Sequence, residues 1–363
     1  MKENQLLVNV LPSPTYNWLR MNDADVKVPG DAVEGNPMVT RTADVTATVT
    51  DYTEIQDIAG GMGYDFDTYM KHSDADVLKL QIGRQQKAAQ PVHIEFDYKK
   101  DCADVNAVYI DADEGSDLVV VMDFRSAAEA AGFAAVQTKI HVAKDAHVLL
   151  VQIQRLGQGF RFLNDVAAKT EESAGFEQIE LILGGADTYQ GSRTDLVGAH
   201  STLKTDIGYL LKQQEHLDMN YIANHIGRKT ECAIDVKGVL RDGAHKLFRG
   251  TIDLRRGAKG ALGNELEDVL LMDDNVINQT IPVILCDEED VEGNHGATIG
   301  RIDEALLFYL ESRGMTEAEV YEMMAGARID SVIHKIPDAV TRERVFEELK
   351  GHKETSYEKS SID

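Results

Sequence analysis

The chain is 363 residues long and 43% hydrophobic, enough to bury one large core or two moderate ones. Its 62 acidic against 37 basic residues leave a formal charge of -25, which opposes the counterion release behind nucleic-acid binding and the pull of anionic lipid. Neither partner is expected, and no run of about 18 apolar residues suggests a membrane span.

Met1 to Gln5 lack the apolar core of a signal peptide, so a cytoplasmic protein is expected. The three cysteines, Cys102, Cys232 and Cys286, form no CxxC pair. Neither a disulfide framework nor a self-contained cluster site is written here, and any metal handled is shared or transient. The plain alternative for each thiol is a small buried hydrophobe.

Residues 1–90 read as a mixed region, with turns at Pro12, Pro14, Pro29, Pro37 and Gly60 to Gly63 and a short helix expected over Thr68 to Lys79. From 91 to 299 the texture becomes β-branched and apolar in short runs: Val92 to Phe96, Asp117 to Val121, Lys139 to Val142, Val148 to Ile153, Gln178 to Leu183, Ser201 to Ile207, Cys232 to Val239 and Phe248 to Ile252. Asp242-Gly243 is the one hairpin-type dipeptide among them, so stacked coils of a parallel β-helix fit better than a β-sandwich, which stays open as the alternative. Residues 300–350 switch to helical period. Leu306, Leu307 and Leu310 share one face before Gly314, and Thr316 with Glu319 forms a capping box ahead of Val320, Met323, Met324 and Ala327. Pro337 breaks the pattern, a last helix covers Thr341 to Leu349, and residues 351–363 are expected to be a disordered tail.

No GxxxxGKS or GxxxxGKT, GxSxG or HExxH occurs, which removes support for nucleotide hydrolysis and for the common hydrolases. Histidines 200, 216, 225 and 245 have no metal-ligand spacing. His295 stands apart at the border of the β and helical regions, where Gly293, Gly296 and Gly300 are expected to let the backbone turn tightly and leave the imidazole little shielded. Two readings stay open for it: an accessible ligand, or a residue that staples the junction.

The run Asn294-His295-Gly296-Ala297-Thr298-Ile299-Gly300-Arg301-Ile302-Asp303, continuing through Leu307 to Gly314, resembles the SufB/SufD family of iron-sulfur cluster assembly scaffolds. Asp218 to Tyr221, Asn224 to Gly227, Phe248 to Ile252 and Asp268 to Met272 resemble it too. The resemblance implies a mainly β fold, a right-handed parallel β-helix between an irregular N-terminal region and a C-terminal helical domain. It implies a non-enzymatic scaffold that pairs with SufB through the β-helix and docks the SufC ATPase through its C-terminal helices. A transient iron-sulfur cluster would form in the complex, which in the family can also bind reduced flavin. SufB-type chains carry a cysteine where this chain has Val276, and a glutamate where it has Gly296. The resemblance is therefore to the SufD-type branch, with His295 implied as the iron or cluster ligand shared with SufB. Cys286 ranks below it as a soft ligand the family does not require. The competing functions are a β-helix carbohydrate-active enzyme and a metal-free regulator of the ATPase.

Overall fold

A computed structural model of the chain describes residues 3–14, 17–40 and 42–360. The N-terminal part supplies β1 (Glu3–Val8) and β2 (Ala24–Pro29), which pair antiparallel, then β3 (Val33–Glu34), β4 (Met38–Val39) and β5 (Val45–Thr50). Helix α1 spans Tyr64–Lys71, with Asp65 and Asp67 in its first turn and Lys71 in its last, each complementing the helix dipole. The helix lies earlier than the expected Thr68 to Lys79, because Val77, Leu78 and Lys79 open strand β6 (Val77–Ile82), whose alternation favours a sheet.

After β7 (Val92–Asp97) the strands alternate between two sheets: β8 (Ala103–Ala112), β9 (Asp117–Arg125), β10 (Ala131–Val142), β11 (His147–Arg155), β12 (Gly159–Thr170), β13 (Gly175–Ile182) and β14 (Asp187–Leu196). The series continues with β15 (Thr202–Leu211), β16 (His216–His225), β17 (Glu231–Leu240), β18 (His245–Leu254), β19 (Ala261–Leu271), β20 (Ile277–Cys286) and β21 (Val291–Gly300). Even-numbered strands from β6 to β20 stack in one sheet and odd-numbered ones from β7 to β21 in the other, all parallel within each series. The result is a β-solenoid of about eight turns. Parallel pairing throughout overturns the sandwich alternative, and the first rung begins with β6, before residue 91.

The corners explain the scarcity of hairpin dipeptides. Gly115, Asp145, Ser173, His200, Lys229 and Gly260 all take positive φ, between 54° and 75°, at one corner of successive rungs. Each donates its backbone N–H to a carbonyl in the next rung, for example Asp145 to Glu172 and His200 to Arg228, both at 2.9 Å. These are single left-handed corner residues, not two-residue hairpin loops. His200 is one of them.

Inside, Val108, Ile110, Leu118, Val120, Phe124, Phe162 and their neighbours form the main core. The N-terminal segment covers the outer face of the first sheet, where Phe66 and Met70 meet Val105, Phe133 and Leu163. The C-terminal helices cover the second. Helices α2 (Glu304–Glu311), α3 (Glu317–Ile333) and α4 (Ala339–Ser360) follow the last strand, and Ile329, Val332 and Val345 pack on Val121, Leu149 and Leu181. The capping box at Thr316 and Glu319 is formed. The buried stripe is Val320, Tyr321 and Ala325, whereas Met323 and Ala327 face outward. Helix α4 runs past the expected end at Leu349 and gives 351–360 helical backbone where a disordered tail was expected; residues 361–363 lie outside the described residues.

Two outward-facing ladders cross successive rungs. The ring nitrogens of His141 lie 3.2 Å from Asp111 and 3.1 Å from Glu171; those of His147 lie 3.4 Å from Asp117 and 3.2 Å from Glu177. Hydrogen bonds to Asp111 and to Glu177, respectively, hold these imidazoliums above the ordinary histidine range. Lys79 faces Asp111, and Lys204 faces Glu177. A histidine pKa raised on folding stabilises fully below the unfolded value of about 6.5 and ceases to as pH rises through the folded value. The double variant H141Q/H147Q should therefore lose melting temperature relative to wild type at pH near 6, with the gap closing at pH above about 8. Thermal melts across that range check it; a gap constant with pH would refute the imidazolium role.

Candidate functional site at the open end of the solenoid

The solenoid is open at its C-terminal end. β20 and β21 are the outermost strands of their sheets, and their side chains are largely half-buried or exposed, in contrast to the buried β18. Strand alternation sets which residues face the lumen. On β17, Ile234 and Val236 join the interior cluster, so their in-register partners Glu265 and Glu267 on β19 face inward. One rung further, Glu265 pairs with His295 and Glu267 with Ala297, which places His295 on the inward face of the last strand. It is exposed because no rung covers it.

The glycines beside His295 do not make a loop. Gly293, Gly296 and Gly300 lie within β21, and none of them has positive φ. Their effect is to leave the edge strand thin: a side chain at Gly293 would meet Ile284 across the lumen, and nothing stands near Gly300. Cys286 pairs with Leu254 at the end of β20, is exposed, and donates its thiol to the Glu288 carbonyl at 3.2 Å. His295 and Cys286 thus belong to the two sheets of the same open rung. Among the described residues, no three metal-ligating side chains converge there or elsewhere. Val276 packs against the interior cluster beside Leu271.

The other histidines do structural work. The His216 and His245 rings lie in contact on neighbouring rungs, centroids 4.9 Å apart and tilted by 59°, and His245 meets Gln279 at 3.0 Å. His225 is buried against the Thr230 hydroxyl at 2.7 Å, and burial pushes its pKa down to about 4, so it is neutral.

Sequence reasoning missed the charged residues one rung behind His295. Lys246 and Glu267 form a fully buried ion pair, and Thr280 links to both, accepting from Lys246 at 2.9 Å and donating to Glu267 at 2.8 Å. Glu265 is also buried, and that burial, then the charge of Glu267, raises its pKa to about 8 against the opposing pull of Lys246. The signal was present but inverted. In Leu262 to Glu267 the leucines at 262 and 266 are exposed while the glutamates face inward, and only the strand's phase reveals that.

Comparison with known proteins gives the family. The family profile described as "SUF system FeS cluster assembly, SufBD core domain" matches residues 96–328. The chain is similar to the iron-sulfur cluster assembly protein SufD of Escherichia coli, 25% identical over 278 residues, covering 74% of this chain and 65% of that one. It is also 25% identical over 264 residues to SufD of Bacillus subtilis, covering 71% and 60%. An iron-sulfur cluster assembly SufBD family protein of Mycobacterium tuberculosis is 28% identical over 199 residues, 55% of this chain but 24% of that much longer relative. The chain thus spans about a quarter of the length of such mycobacterial relatives.

Proposed function

The chain belongs to the SufB/SufD family of iron-sulfur cluster assembly proteins, and from that premise we propose that it is the SufD-type scaffold of a cytoplasmic assembly complex. The observation that carries the reading is His295: an accessible imidazole on the inward face of an unpaired last rung, within the matched segment. A neutral imidazole suits iron, and with Val276 in place of a cysteine the chain offers no thiolate there. The iron and nascent cluster are cargo, held jointly with a SufB-type chain. Cys286, on the same open rung, is the weaker candidate ligand. The scaffold itself catalyses no reaction.

The unpaired edges of β20 and β21 expose backbone groups that a second β-helix can pair with, which supports docking of SufB at this end. Pro282 within β20 suits an edge strand, since it has no N–H to donate. The ATPase would dock on the helical face that the solenoid leaves uncovered. On α2, Leu307 and Leu310 pack inward, while Phe308 and Tyr309 are 72% and 52% exposed. Large exposed aromatics of this kind anchor interfaces.

Co-expression with SufB-type and SufC-type chains, followed by anaerobic assay of iron and sulfide in the purified complex, tests the reading. F308E should weaken capture of the ATPase by about tenfold or more without lowering the melting temperature. Undiminished co-purification of the ATPase with F308E would remove α2 from the docking surface.

A further inference from the structure

Resting on the reading of His295 as the chain's contribution to iron handling, we propose that Glu265 is the second ligand of the same half-site, so that Glu265 and His295 together take up a divalent transition-metal ion at the solenoid mouth. The two residues are in register on adjacent parallel strands, both on the inward face. Strand spacing puts their backbones about 4.8 Å apart, so carboxylate and imidazole can reach one ion.

Glu265 has charged neighbours in Glu267 and Lys246 but no hydrogen-bond donor among the described residues. Its side chain is 3% exposed, although Glu267 two positions on is fully engaged by Lys246 and Thr280. A buried carboxyl group without a donor is costly to keep unless something pairs with it. Room for it comes from the facing strand. The Glu265 carboxylate lies over Gly250, where the β-carbon of any other residue would fall 2.0 Å from its oxygen. The carboxyl group is thus held in the lumen, one strand below the position of His295. An oxygen and an imidazole nitrogen form a donor pair for ferrous iron and similar divalent ions. No third metal-ligating side chain among the described residues joins them, so the remaining positions fall to water and to the partner chain.

The test uses the full chain with cobalt(II) as the probe, titrated calorimetrically and followed by its visible absorption. Wild type should bind one ion saturably. E265Q and H295A should each weaken binding by at least about tenfold, the least expected from losing even an outer-shell partner, and the double variant should be no worse than the weaker single. E292Q, on the exposed outward face of the same strand, controls for the overall negative charge and should bind like wild type. E265Q should keep or raise the melting temperature, since it removes a buried ionisable group rather than a partner. Binding that E265Q leaves unchanged, or no saturable binding by wild type, overturns the inference. Cluster content of the co-expressed complex is a separate measurement: its loss in H295A but not in E265Q would sink the Glu265 role while leaving the scaffold reading intact.

Discussion

In the complex co-expressed with SufB-type and SufC-type chains, H295A is expected to lose most of its iron and sulfide while the complex assembles and melts as before. The expectation follows from where the side chain stands. His295 lies on the last rung, is exposed, and makes no hydrogen bond within the described residues, so its removal costs little packing. Exposed substitutions of that kind change stability by within about 0.5 kcal/mol. Its chemistry is not replaceable from nearby, because the β20 face opposite it offers Thr280, Pro282 and Ile284, none of which ligates iron well. Iron and sulfide assayed anaerobically, with a thermal melt of the same preparation, read both halves of the expectation. Unchanged cluster content would remove the ligand role. A large fall in melting temperature would instead make His295 a staple of the solenoid end.

The second large effect concerns the clasp between the N-terminal segment and the solenoid. Arg249 on β18 is fully buried and forms two hydrogen bonds to Asp218, at 2.6 and 3.2 Å. It also donates to the carbonyls of Met21 at 2.6 Å and Asp23 at 3.1 Å, while Asn9 donates to Asp218 at 2.6 Å. One guanidinium thus ties two rungs to a segment more than two hundred residues away. Replacing it with Met leaves the Asp218 carboxylate buried with a single amide partner and orphans two carbonyls, which should cost about 3–5 kcal/mol. Urea unfolding of R249M should show that loss, and limited proteolysis should cut the N-terminal segment sooner than in wild type. A cost below about 1 kcal/mol, typical of an exposed pair, would mean that the clasp is not held this way. The double variant D218N/R249M should recover part of the stability by removing the stranded charge.

The β-helix character was legible in the sequence because an inward apolar run recurs in each rung, as at Val148 to Ile153 and Cys232 to Val239. Strands such as β14 and β16 were not, because Gln190, Ser192, Asp218 and Asn220 are polar residues buried by partners that local sequence cannot name. Likewise the run around His295 was recognised from its residue pattern, but its glycines suggested a turn where the backbone continues as an edge strand. An isolated strand and a turn differ little in local composition there; pairing with β19 decides between them.

By itself the sequence determined the acidic charge, the lack of common nucleotide-binding and hydrolase motifs, the capped C-terminal helices and the resemblance carried by Asn294 to Asp303. These are properties of composition and of neighbours along the chain. Only the tertiary structure decided that His295 faces the lumen, that Glu265 stands beside it, and that the end of the solenoid is open. Those depend on strand phase and register, in which a shift of one residue would send every side chain to the other face.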